Sequence, residues 1–147
     1  MTIAVVDSGG ANIASVLQAL GRLGAEPTFT HDAEIIRGAD HVILPGVGAA
    51  GNAMDVLRGH GLVDVIRNLE QPVLGICLGM QLLFESSEED DATMLGIIPA
   101  RLERIQERDG LRVPHMGWNR IEPNGSDPLL AGIGEQWFYF VHSYAAP

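Results

Sequence analysis

The chain carries one cysteine, Cys77, and any covalent chemistry would start there. It lies in Gly75-Ile76-Cys77-Leu78-Gly79, between an apolar run and a helix-like segment. Pro72 to Ile76 reads as a short buried strand, and Leu78 to Phe84 as the start of a helix. A nucleophile between glycines at a strand-to-helix turn is the arrangement of a nucleophile elbow, here with sulfur in place of oxygen. Such a turn holds its nucleophile in a strained backbone conformation. Glycines two residues to either side make room for it. The sulfur then meets a helix N-terminus, whose dipole and free N–H groups favour an anionic nucleophile. The Leu78 N–H is placed to meet a developing oxyanion. On this motif alone, an inert core cysteine is an equal alternative.

A second feature stands one strand earlier. Leu44-Pro45-Gly46-Val47-Gly48 is a glycine-rich loop after an apolar run. Its backbone N–H groups can approach a substrate oxygen closely. Alone it reads as an ordinary turn. Paired with a nucleophile after the next strand, it could supply the other half of an oxyanion hole. Asp7 to Asn12 follows the first strand and reads as a structural turn with an interface role, since it is not G-x-G-x-x-G.

A nucleophilic cysteine wants a base oriented by a carboxylate. The histidines are His31, His41, His60, His115 and His142, and none is followed two residues later by Glu or Asp. His115 and His142 could approach the site, yet each reads first as a packing residue. The sequence thus offers a nucleophile and an oxyanion loop without a convincing base.

The elements that position these residues alternate. Ile3 to Val6, Pro27 to Thr30, His41 to Leu44 and Val73 to Ile76 read as strands. Between them, Asn12 to Leu23 has helical periodicity through Ile13, Val16, Leu17 and Leu20, and Gly24 closes it. Asp32 caps a short helix through Ile36. Ala53 to Leu57 and Leu62 to Leu69 also read as helical. The series predicts an α/β fold, a mostly parallel flavodoxin-like sheet flanked by helices. Ligands bind such sheets beyond the carboxyl ends of strands, where Asp7, Gly46 and Cys77 fall. After Phe84 the pattern changes. Glu85 to Asp91 reads as a solvated acidic loop. Gly96 to Ile105, Leu111 to Val113, Asn119 to Glu122 and Trp137 to Tyr144 suggest antiparallel additions. Residues 1–147 read as one domain, without internal repeats.

The 147 residues are 46% hydrophobic, which suits a globular fold rather than a disordered one. A net charge of −10 argues against a nucleic-acid or anionic-membrane surface. One cysteine allows no internal disulfide and no C-x-x-C zinc site. No apolar run approaches membrane-spanning length, and the start lacks the basic flank of a signal peptide, so the expected location is cytoplasmic.

Four stretches together resemble a known family. They are Pro45-Gly46-Val47-Gly48, Gly75 to Leu83, Val113-Pro114-His115-Met116-Gly117-Trp118-Asn119 and Tyr139 to Tyr144. They look like the glutaminase subunits of imidazole glycerol phosphate synthase, class I glutamine amidotransferases of histidine biosynthesis. The elbow is shared across the class, while the His-Met-Gly-Trp-Asn run is specific to this subunit. The resemblance implies that Cys77 attacks the side-chain amide of L-glutamine. Ammonia then passes to a (βα)8-barrel cyclase partner in a heterodimer. It implies that Gly46, Val47, Gly48 and Leu78 surround the oxyanion, and that Gln81, Ser143 and Tyr144 hold the glutamine. Asn12, Met116, Trp118 and Asn119 would lie toward the partner, and no cofactor or metal is called for.

Two departures stand out. Family members usually have an aromatic residue where Ser8 stands. They also run on through a Gln-Phe-His-Pro-Glu stretch whose His and Glu complete the triad. The expectation is therefore a chain truncated at Pro147, missing its base, its last strand and a terminal helix, and so inactive as it stands. The alternatives are a scaffold fragment around the partner interface, or another elbow-cysteine hydrolase. In the latter, His usually follows the cysteine, where this chain has Leu78.

Overall fold

The computed structural model describes residues 1–10, 12–108, 110, 112–122, 128–133 and 136–147. These fall into two compact units, residues 1–103 with 146–147, and residues 104–145.

The first unit is built on four parallel strands, β1 (Ile3–Val6), β2 (Thr28–Thr30), β3 (His41–Gly46) and β4 (Val73–Cys77). Their order is β2-β1-β3-β4, all neighbours parallel. That is the doubly wound order whose ligand crevice opens where the winding reverses, beside β1 and β3. β1 and most of β3 are buried throughout, so apolar runs rather than alternating patterns mark them in the sequence. β3 runs two residues further than expected, through Pro45 and Gly46. β1 pairs with β3 only as far as Ile43, so Pro45 needs no N–H on that side.

The helices are α1 (Ile13–Arg22), α2 (Ala33–Gly38), α3 (Ala50–Gly59), α4 (Val63–Arg67) and α5 (Leu78–Gln81). Asp32 caps α2 as expected, its carboxylate accepting from the Glu34 and Ile35 N–H groups at 2.8 and 3.3 Å. Met54, Leu57, Leu62, Val65 and Ile66 join Val42 and Leu44 in the core. α1 is different, because none of its residues is fully buried. Leu74 and Ile76, on the edge strand β4, remain 40% and 36% exposed.

Two expectations after the elbow are corrected. The helix from Leu78 stops at Gln81 instead of reaching Phe84. The chain turns there, with the Leu83 N–H on the Met80 carbonyl, and continues as β5 (Phe84–Ser87). β5 pairs in parallel with β6 (Ile98–Arg104), so its backbone groups gain strand partners that a longer helix would forgo. The acidic segment is also more than a solvated loop. Ser87 is buried, and Glu89 to Asp91 form a 3₁₀ turn with positive φ at Asp90 and Asp91.

The second unit contains an antiparallel pair, β7 (His115–Arg120) and β8 (Trp137–His142), followed by β9 (Tyr144–Ala145). β7 starts four residues before the expected Asn119. Of the expected Leu111 to Val113 strand, Leu111 lies outside the described residues, and Arg112 and Val113 are not in a strand. Period-two alternation sorts the hairpin into two faces. Met116, Trp118, Trp137, Tyr139 and Val141 are each about half exposed or more, while Phe138, Phe140 and His142 are half-buried.

Candidate active site

Cys77 is the last residue of β4 and the residue before α5, with φ 54° and ψ −117°. A non-glycine residue with positive φ is strained, and such strain gathers at functional sites. The flanking glycines follow from distances. A Cβ on Gly79 would sit 1.7 Å from the Leu44 carbonyl oxygen, and one on Gly75 would sit 2.5 Å from the Met80 Cα. Only bare backbone lets α5 turn back this tightly over β3 and β4. Gly46 is held in the same way, since its Cβ would lie 2.9 Å from the Gly79 nitrogen.

Gly46 and Cys77 are register partners at the carboxyl ends of β3 and β4. Pro45, Gly46, Val47 and Cys77 line one cavity of about 480 Å³, together with Ile43, Leu74, Ile76 and the inner side of α1. Gly48 takes φ +92°, which turns the loop into α3. Leu78 is buried directly behind the elbow, and Gln81 ends α5, half-buried. Cys77 itself is exposed. Its helix is a single turn, so no long dipole stands behind the sulfur, and the Cys77 side chain makes no cap hydrogen bond to that turn.

Asn12, read from the sequence as an interface residue, lines the same cavity as Cys77. It sits at φ 74° ahead of α1, and its Oδ1 accepts from the Ser15 hydroxyl. The turn before it packs on the glycine loop, since a Cβ on Gly10 would lie 3.2 Å from the Val47 nitrogen.

Two residues that sequence reasoning missed hold the loop. The buried Ser8 hydroxyl donates to the Pro45 carbonyl at 2.7 Å, tying the end of β1 to the end of β3. The Ala50 N–H donates to Glu89 Oε2 at 3.3 Å. Ala49, at the N-cap of α3, offers no side-chain acceptor, and the first turn carries no acid of its own. Glu89 is itself held by its N–H on the Ser87 hydroxyl at 3.0 Å. Nothing local in the sequence singles Glu89 out from the acidic residues around it.

Among the described residues, no imidazole or carboxylate hydrogen-bonds the Cys77 sulfur. His41 opens β3, and His31 and His60 stack on each other with centroids 4.4 Å apart. In the second unit, His115 and His142 bond to each other, and Ser143 and Tyr144 follow β8. Met116 and Trp118 point from β7 on its exposed face, and Asn119, also exposed, falls on the other face. No described cluster of His, Cys, Asp or Glu is arranged to hold a metal ion. No described helix is long and apolar enough to cross a membrane.

A family model described as glutamine amidotransferase class-I matches residues 4–147. The chain is 53% identical over 146 residues to a protein of Xylella fastidiosa named imidazole glycerol phosphate synthase subunit HisH. It is 52% identical to the protein of the same name from Xanthomonas axonopodis pv. citri. Each alignment covers 99% of this chain and 73% of the relative. A solved structure described as a glutamine amidotransferase superposes with a TM-score of 0.74 at 21% identity. It covers 98% of this chain and 72% of its own, and at that identity it speaks for the fold alone.

Proposed function

This chain belongs to the class I glutamine amidotransferases, and we propose that it is the glutamine-hydrolysing subunit of an imidazole glycerol phosphate synthase. The observation that carries the reading is the elbow: Cys77 at φ 54°, in register with Gly46, lining one cavity with Pro45, Gly46 and Val47.

The chemistry runs as follows. The Cys77 sulfur, as thiolate, adds to the side-chain amide carbon of L-glutamine. The carbonyl electrons move onto oxygen, and in this reading the backbone N–H groups of Leu78, Val47 and Gly48 receive that charge. The tetrahedral adduct collapses by breaking the C–N bond. Nitrogen takes a proton and leaves as ammonia, and a γ-glutamyl thioester remains on Cys77. Water then cleaves the thioester to glutamate and the free thiol. Gln81, at the end of the turn that starts with the elbow, is a substrate-positioning group in this reading.

In this reading the ammonia is used by a barrel-type cyclase subunit in a cytoplasmic heterodimer; the relatives' name supports that the chain is one subunit of a synthase. In the second unit, the exposed Met116, Trp118, Tyr139 and Val141 face is the candidate docking surface for that subunit. The test is Cys77→Ala in the assembled synthase. Glutamine-dependent synthesis should be lost while synthesis from added ammonia is kept. Loss of both would make Cys77 a folding or docking residue.

A further inference from the structure

We propose that His115 and His142 form a one-proton switch on the β7–β8 hairpin, read out as the orientation of the Asn119 carboxamide. The two histidines are register partners at one end of the hairpin. Four groups make a continuous chain of hydrogen bonds. Asn119 Nδ2 lies 2.8 Å from His115 Nε2, His115 Nδ1 lies 3.1 Å from His142 Nε2, and His142 Nδ1 lies 2.9 Å from the Tyr144 carbonyl oxygen.

The carbonyl settles every proton in the chain. It can only accept, so His142 Nδ1 carries hydrogen. In a neutral ring, Nε2 of His142 is then the acceptor. His115 Nδ1 must therefore donate to it, which leaves His115 Nε2 as an acceptor. The group facing that nitrogen must donate, and Asn119 turns its amino group inward to do so. With both rings neutral, each of the three bonds has one donor and one acceptor, and only this assignment achieves it.

An added proton has one place to go. The His142 Nδ1 position is occupied, and the gap between the rings already holds a hydrogen. The proton goes to His115 Nε2, where it meets the Asn119 amino group head-on. The carboxamide then rotates by half a turn and offers Oδ1. A second proton would set two N–H groups against each other across 3.1 Å, so the pair holds one. Among the described residues of this unit, Asn119 from β7, Phe140 from β8 and the Tyr144 carbonyl from β9 meet the rings. None carries a charge that would take the place of the amide in answering the proton, and Tyr144 is the one with a titratable side chain. Asn119 is exposed, so its outward group changes from acceptor to donor at the edge of the hairpin face that carries Phe138 and Phe140, opposite the face of Met116 and Trp118.

The test uses the ¹⁵N-labelled 147-residue chain and its imidazole and carboxamide NMR signals, with His31, His41 and His60 as internal references. Near neutral pH, both His115 and His142 should show the Nδ1–H tautomer. A coupling across the hydrogen bond should join Asn119 Nδ2 to His115 Nε2. On acidification, that coupling should vanish while the one between the two rings persists. The Asn119 carboxamide signals should move with the ring signals. In Asn119→Asp, a fixed acceptor faces His115 Nε2, and that nitrogen should carry hydrogen at neutral pH. An Nε2–H tautomer in either ring of the unsubstituted chain at neutral pH would overturn the proposal. So would Asn119 signals that stay still while the rings protonate, or a His115 Nε2 without hydrogen at neutral pH in Asn119→Asp. None of these readouts involves glutamine turnover, so the outcome is independent of the glutaminase reading.

Discussion

Replacing Gly79 by alanine adds one methyl group and should disable the elbow. The new carbon would start 1.7 Å from the Leu44 carbonyl oxygen, 2.6 Å from the Leu44 carbonyl carbon and 3.0 Å from the Pro45 carbonyl carbon. All three obstacles are backbone in the middle of β3, so no side chain can swing aside. The contact must open from 1.7 Å to beyond 3.0 Å, which lifts α5 off β3 and carries Cys77 away from its register partner Gly46. Forcing an extra carbon into packed structure costs ~1–3 kcal/mol, and backbone on both sides puts this case near the upper end, about 3 kcal/mol. For a chain of this size that is a fall in Tm of about 6–12 °C. Gly21→Ala is the control. Gly21 lies in α1 with nothing within 4 Å of its added carbon, so alanine there should stabilise by ~0.5–1 kcal/mol. Urea unfolding measures both stabilities, and the rate of iodoacetamide reaction at Cys77 reports the elbow. A Gly79→Ala protein as stable as Gly21→Ala, with an unchanged alkylation rate, would refute the reasoning.

Other outcomes follow from single contacts. Ser8→Ala removes the buried donor to the Pro45 carbonyl and should cost about 1–2 kcal/mol in urea unfolding, with faster amide exchange in the Gly46 to Gly48 loop. Asp32→Ala removes the cap of α2 and should cost ~1 kcal/mol, whereas Asp32→Asn should retain most of it. Hydrogen bonds from the Thr2 N–H and hydroxyl hold the Asp40 carboxyl below its ordinary value of 3.8, so its contribution is present above that value and lost as pH falls through the lowered one. The stability difference between pH 6 and pH 3 should therefore shrink in Asp40→Asn.

The sequence made the first unit legible wherever burial is continuous. β1 and β3 stood out as apolar runs, and the elbow as a cysteine between glycines, because those features are local; β4, expected as a short buried strand, is an edge strand with none of its residues fully buried. The length of α5 was not legible, since no glycine or proline follows Gly79 to end a helix. It is set by the pairing of Phe84–Ser87 with β6, a contact made across the fold. Glu89 was hidden for the same reason: its role depends on an α3 N-terminus 39 residues away. Asn12 was expected toward a partner; it is exposed, and its place in the cavity with Cys77 exists only once α1 lies against the sheet. His115 and His142 were visible as residues, but their pairing belongs to the hairpin register, which short-range pattern does not encode.

The central claim is that Cys77 is a nucleophile presented to glutamine. The most direct measurement is covalent labelling of the chain by a glutamine-shaped diazo ketone, followed by peptide mass mapping with and without L-glutamine. The account predicts one adduct, on Cys77, formed faster than on a small free thiol and slowed by L-glutamine but not by L-asparagine. An adduct that forms no faster than on a free thiol and is indifferent to L-glutamine would contradict it.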